Sequence, residues 1–80
     1  LAYQIYLQYE KRTLPFIINI FRFIGVEIGD AIVITDMNGR IVHQSRQIKG
    51  SAQISIKNSG VYFVVVQNNE KFFQQKLLVR

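Results

Sequence analysis

The sequence predicts an all-β domain, an antiparallel sandwich or barrel, on three observations. Val, Ile, Phe, Tyr and Thr are abundant, whereas alanine stands only at Ala2, Ala31 and Ala52. Such side chains suit a pleated, half-buried surface. No window sustains a helical period of apolar residues. Turn signals recur about every 8–12 residues, the spacing of a sandwich or barrel.

Leu1, Tyr3, Ile5, Leu7 and Tyr9 alternate with Ala2, Gln4, Tyr6 and Gln8, which predicts a half-buried first strand. Glu10-Lys11-Arg12-Thr13 reads as a polar turn or linker. Pro15 argues against an unbroken central strand across it. Phe16 to Ile28 is apolar on both faces and fits two short strands, or one bent near Gly25. Ala31 to Thr35 is a strand, and Asp36-Met37-Asn38-Gly39 is a strong turn signal. Aspartate suits the first position of a type I turn, because its carboxylate accepts from the backbone ahead. Asparagine tolerates the position before the glycine, and Gly39 supplies the left-handed conformation that a G1 bulge needs. The return strand Arg40 to Gln44 would then place Val42 opposite Ile34.

Ile48-Lys49-Gly50-Ser51 is a second turn. Ala52, Ile54 and Ile56 alternate with Gln53, Ser55 and Lys57 in the strand that follows. Asn58-Ser59-Gly60 turns the chain again. Val61 to Val66 is β-branched and aromatic, and such a run predicts a central strand covered on both faces. It is also prone to aggregate when exposed. Asn68-Asn69-Glu70 is the last turn, and Lys71 to Val79 closes the chain.

Eighty residues make one domain, and 49% of them are apolar, too many for a disordered chain. The chain has no cysteine, which excludes disulfides and thiolate chemistry but says little about compartment. Its net charge of +5 fits an anionic partner, or simply keeps an apolar β domain soluble. The most apolar stretch, Leu14 to Val26, is 13 residues long and contains Asn19 and Arg22. A membrane span needs roughly 20. The chain begins at Leu1 and reads as a piece of a longer precursor, so the lack of a signal peptide carries no information.

Nothing points to catalysis. Asp36, His43 and Ser45 have the residue types of a triad, but no G-x-S-x-G elbow is present and no acid stands near His43 in the sequence to orient it. Asp36-x-Asn38-Gly39 matches the start of a calcium loop, but Gln47 stands where that loop needs a bidentate glutamate. One histidine and five dispersed acids assemble no local zinc set, and no cofactor is expected. Gly60 to Val64 loosely resembles an RNA-binding strand. That module needs a basic residue where Ser59 stands, and two helices that the sequence lacks. The basic residues are dispersed, so nucleic acid is not an expected partner.

Three blocks in one order carry a resemblance. They are Ala31-Ile-Val-Ile-Thr-Asp-Met-Asn-Gly-Arg-Ile-Val42, Ala52-Gln-Ile-Ser-Ile56, and Ser59-Gly-Val-Tyr-Phe-Val-Val-Val66 followed by Lys71 and Lys76-Leu-Leu-Val-Arg80. Together they resemble the type A C-terminal sorting domain of proteins exported by the type IX secretion system of Bacteroidetes. The likeness covers about residues 22–80. It implies an immunoglobulin-like sandwich of about seven strands. It implies a non-catalytic address that carries a cargo protein through periplasm and outer membrane, to the cell surface or the medium. The implied partners are the type IX translocon, its outer-membrane shuttle protein and a sortase-like peptidase that removes the domain and can attach the cargo to anionic lipopolysaccharide. The likeness places the signal on Asp36, Asn38, Gly39, Arg40, Gly60, Val61, Tyr62, Lys76 and Arg80. Of these, Gly39 and Gly60 suit backbone geometry, and Arg40, Lys76 and Arg80 suit contact with a partner.

Family members usually open with an apolar-Pro-Asn-Pro segment, and the nearest counterpart here is Leu14-Pro15-Phe16. Residues 1–21 are therefore expected to be a linker or divergent N-terminal strands. Two other readings remain. A surface adhesion or carbohydrate-binding sandwich would use Tyr3, Tyr6 and Tyr9 as an aromatic platform. A self-assembling subunit would use the first twenty residues as a donor strand.

Overall fold

The structure is a computed structural model, and it describes residues 4–80. Seven strands follow one another: β1 (Tyr6–Arg12), β2 (Ile18–Ile24), β3 (Ala31–Asp36), β4 (Ile41–Arg46), β5 (Ser51–Ile56), β6 (Gly60–Gln67) and β7 (Phe72–Val79). All neighbours are antiparallel. They form a three-stranded sheet in the order β1-β2-β5 and a four-stranded sheet in the order β4-β3-β6-β7. This is a two-layer sandwich of the immunoglobulin-like kind, with β4 beside β3.

Alternation decides what each sheet turns inward. Phe21 and Phe23 of β2 face Ile32 and Ile34 of β3, Val64 and Val66 of β6, and Leu77 and Val79 of β7 in one buried cluster. Phe23, Ile32, Ile34, Val64 and Val66 are fully enclosed. Burying each such side chain stabilises the fold by about 1.5–3 kcal/mol.

Four expectations need correction. Glu10 to Arg12 is strand and not turn: β1 runs to Arg12, paired with Ile18 of β2. Charge is tolerated there because Glu10 points to the outer face, where its carboxylate accepts from Arg12 Nε and Arg22 Nη1 at 2.8 Å each. The β1–β2 turn then falls on residues 13–17, with a cis Leu14–Pro15 peptide bond. Phe16 to Ile28 holds one strand, β2, which ends before Gly25 because Gly25 takes a positive φ of 97°. Val42 does not face Ile34. A bulge between Ile34 and Thr35 of the β3–β4 ladder sets Ile34 opposite His43 and Thr35 opposite Ile41, leaving Val42 unpaired. Finally, β6 is central but covered on one face only. Tyr62, Val64 and Val66 are buried, Val61 and Val65 are half-covered, and Phe63 is 38% exposed. No third layer lies over the four-stranded sheet among the described residues.

Residues 6–24 are built into the sandwich. β1 pairs along its length with β2, β2 runs through residue 22, and both belong to the β1-β2-β5 sheet. The expected strand residues Leu1, Ala2 and Tyr3 lie outside the described residues.

One end of the sandwich is sealed by a polar network centred on Asp30, whose side chain is buried. Its Oδ2 accepts from the Glu27 backbone N–H at 2.8 Å and its Oδ1 from Asn68 Nδ2 at 2.7 Å. Its backbone carbonyl accepts from the Gln47 N–H at 2.7 Å. Asn68 in turn accepts from the N–H groups of Glu70 and Lys71. The loops after β2, β4 and β6 thereby meet on one residue, the first and last on its carboxylate and the second on its backbone carbonyl.

Candidate functional site

The opposite end carries most of the residues that the resemblance singles out. Its first part is the β3–β4 turn. The Gly39 N–H donates to the Asp36 carbonyl at 3.1 Å, and the Asp36 N–H to the Arg40 carbonyl at 2.9 Å. Asp36 Oδ1 accepts from the N–H groups of Asn38 at 2.9 Å and Arg40 at 3.0 Å, and its Oδ2 from Arg40 Nε at 3.0 Å. The Arg40 backbone N–H, then its guanidinium and the Asn38 N–H, hold the Asp36 carboxyl below its usual range. Gly39 has φ 81°, so its part is backbone geometry. The Asp36 side chain turns inward at 17% exposure, while the Arg40 side chain stays 79% exposed.

The second part is the β5–β6 turn. Tyr62 is buried, and its hydroxyl donates to the Asn58 carbonyl at 2.8 Å, closing residues 58–62. Gly60 starts β6 with φ 146°, a backbone that favours glycine. The β3–β6 register sets Asp36 opposite Tyr62, so the two turns stand side by side. Between them lies a cleft of about 310 Å³ lined by Asp36, Asn38, Arg40, Gly60, Val61 and Tyr62.

The structure therefore gathers six of the nine residues around one cleft. Gly39 shapes its wall without lining it. Arg80 follows Val79, which pairs with Gly60, so the end of β7 lies at this same end. The Arg80 carbonyl accepts from Lys11 Nζ at 3.2 Å, tying β7 to β1 of the other sheet. Lys76 sits apart, opposite Phe63 on the outer face. The cleft also takes in Met37, Val42, Asn58 and Ser59, which sequence reasoning did not select. Asn58 was legible only as a turn residue, because the tyrosine uses its backbone and not its side chain. Val42 enters only because of the bulge.

The other chemistry is limited. His43 Nε2 lies 3.0 Å from Ser45 Oγ, and burial lowers the imidazole pKa. No group of three or more His, Cys, Asp or Glu that could hold a metal occurs among the described residues. Tyr6 and Tyr9 stand three residues apart on β1 and so point to opposite faces. Tyr9 donates to Asn19 Oδ1 at 2.7 Å and its ring lies 4.9 Å from Phe21. These two tyrosines make no common platform, and Tyr3 lies outside the described residues.

A family model, the secretion system C-terminal sorting domain, matches residues 4–80. The chain belongs to that family. No curated protein and no solved structure matches it. The match takes in β1 and β2 together with the three sequence blocks. The chain is a sorting domain of type IX secretion, a signal that sends its cargo to the cell surface or into the medium. No enzyme family matches it.

Proposed function

We propose that this sorting domain is read at the turn end of the sandwich, without catalysis of its own. The observation that carries this reading is the convergence of Asp36, Asn38, Arg40, Gly60, Val61 and Tyr62 around one cleft. Asp36, Gly39 and Tyr62 hold the cleft's shape through bonds internal to the chain. Arg40 and the nearby Arg80 present solvated charge to a partner, and Lys76 does so on the outer face. The partners are the type IX translocon and its outer-membrane shuttle protein, reached from the periplasm. A sortase-like peptidase then removes the domain and joins the cargo to anionic lipopolysaccharide. The unit recognised is the whole sandwich, because a cut at residue 22 would remove β1 and split β2.

The test is a secretion assay in a bacterium with a working type IX system. All 80 residues are fused behind a periplasmic reporter. Wild type should reach the surface or medium, and Arg40→Glu combined with Arg80→Glu should leave the reporter in the periplasm with the domain still folded. Retention of the wild-type fusion would refute the secretion reading. Secretion of the charge-reversed variant at the wild-type level would refute the turn end as the site.

A further inference from the structure

The two outer faces of the sandwich differ in kind. On the β1-β2-β5 sheet, Glu10 joins Arg12 and Arg22 in ion pairs, and Ile20 beneath them is only 2% exposed. That face satisfies its own charges, and its exposed apolar side chains are confined to the Tyr6–Ile24 pair at one end. The β4-β3-β6-β7 sheet spreads its exposed apolar side chains over three strands and leaves a lysine without an ion pair among the described residues. Its cross-strand rows read Ile41–Thr35–Phe63–Lys76, then Gln44–Val33–Val65–Gln74, then Arg46–Ala31–Gln67–Phe72. Val61 and Leu78 form a further row beside the recognition cleft. Ile41 is 57% exposed, Leu78 51% and Phe72 59%. Four strands about 4.8 Å apart and about seven residues long span roughly 450 Å². Part of that area is apolar, carried by Ile41, Phe63, Phe72 and Leu78 and rimmed by Gln44, Gln67, Gln74, Arg46 and Lys76, and an exposed apolar cluster with a polar rim on a small domain marks an interaction site.

Charge selects the occupant. The two charged residues in these rows are Lys76 and Arg46, both cationic. The chain's five acids lie elsewhere: Glu10 on the opposite face, Glu27 and Asp30 after β2, Asp36 in the β3–β4 turn and Glu70 after β6. Lys76 has no ion-pair partner among the described residues. A second copy set face to face would oppose like charges with no acid to meet them. A lipid surface would bury the amides of Gln44, Gln67 and Gln74 with nothing fixed to bond them. An apolar protein surface edged with carboxylates meets all three demands.

We infer that the outer face of the β4-β3-β6-β7 sheet docks on an apolar, acid-rimmed protein surface of the secretion machinery, continuous with the cleft through Val61. This rests on the secretion reading, and it names the face and the chemistry of its partner. About 800 Å² per partner is usual for a stable complex. The sheet supplies roughly half, and the cleft and its turns supply the rim.

The experiment uses the full-chain reporter fusion with three variants: Phe63→Ser with Leu78→Ser, Lys76→Glu with Arg46→Glu, and Tyr6→Ser on the opposite face as control. Each isolated chain is first shown to melt cooperatively near wild type. Both sheet-face variants should lower the secreted fraction at least tenfold, and Tyr6→Ser should secrete as wild type. If wild type itself is retained, the secretion reading fails and this inference with it. If wild type and both face variants are secreted alike, the inference is overturned and the secretion reading stands. If only the serine pair fails, an acid-rimmed partner is overturned in favour of an uncharged one. Sedimentation of the isolated chain should give a monomer, and a dimer abolished by the serine pair would overturn the hetero-partner. Co-sedimentation with phosphatidylglycerol–phosphatidylethanolamine vesicles should show no binding, and binding lost in the serine pair would overturn it in favour of lipid.

Discussion

Removing the Asp30 carboxylate should nearly unfold this domain, although it lies far from the cleft. Asp30→Ala deletes two accepted hydrogen bonds, from the Glu27 N–H at 2.8 Å and from Asn68 Nδ2 at 2.7 Å. Hydrogen bonds to a charged group contribute about 1.5–3 kcal/mol each, and a donor left buried and unpaired adds to the loss. The expected cost is therefore about 3–5 kcal/mol. A chain of this length has a total stability of about 4–12 kcal/mol. At about 4–8 °C per kcal/mol for a small domain, the melting temperature should fall by roughly 12–40 °C. Urea titration followed by far-ultraviolet circular dichroism measures the change directly. Asp30→Asn separates charge from shape: it keeps one acceptor but turns an NH₂ toward one of the two donors, so it should lose more than half of the same energy. Asn68→Ala supplies the cycle. Because Asn68 both donates to Asp30 and holds the β6–β7 turn, the double variant should lose less than the sum, by about 1–2 kcal/mol. A cost for Asp30→Ala below about 1 kcal/mol, or strict additivity with Asn68→Ala, would refute the network as a source of stability.

Four further outcomes are expected. Gly25→Ala should cost at least about 2 kcal/mol in urea titration, because its φ is 97° and an added Cβ would stand 2.3 Å from the Gln4 carbonyl oxygen. The Asp36 carboxyl is held below its ordinary value of 3.8, so its contribution is complete above that value and is lost as pH falls through the lower folded pKa. Asp36→Asn should flatten that part of the acid melting curve, and an unchanged acid limb would count against the turn bonds. Burial lowers the His43 pKa from its ordinary 6.5, so stability is complete above that value and declines as pH falls through the folded pKa. The His43 ring should titrate by NMR with a midpoint below that of the urea-unfolded chain, and an equal or higher midpoint would contradict the burial. Arg40→Ala should leave the melting temperature near wild type, because an exposed ion pair adds little stability, while the reporter's secretion falls.

What could be read in the sequence was local, and what could not was distant. The Asp36–Gly39 turn was legible because each of its bonds joins residues at most four apart. The strands β3, β5 and β6 were legible from two-residue alternation or β-branched runs. Glu10 to Arg12 hid a strand, because an outer face with Arg22 alongside accepts charges that resemble a turn when read alone. The bulge at Val42 has no sequence signal of its own; it shows only where Ile34 finds His43 across the ladder. The mistaken two-face burial of β6 came from composition, since Val61, Phe63 and Val65 are as apolar as the residues facing the core. Asp30 looked like an ordinary loop acid, because its partners Gln47 and Asn68 are 17 and 38 positions away. The cleft was half-legible. Its residues stand in the motif blocks, but their convergence follows from the register that sets Asp36 against Tyr62.

The two ends of the sandwich solve different problems, and on the proposed reading this separates residues that contact a partner from residues that hold the shape. At the Asp30 end, the acid and the amide of Asn68 are spent inside the chain. At the cleft end the pairing is lopsided. Asp36 turns inward and uses both oxygens on its own turn, whereas Arg40 gives Nε to the pair and keeps its guanidinium mostly in water. A side chain with its bonds made internally contributes position, and one with donors to spare contributes contact. Substitution at Asp36, Gly39 or Tyr62 should therefore impair secretion in proportion to the shape lost. Substitution at Arg40 should impair it with the fold intact. A partner that reads rigid turns loses little entropy on docking, because the ordering cost was met when the domain folded.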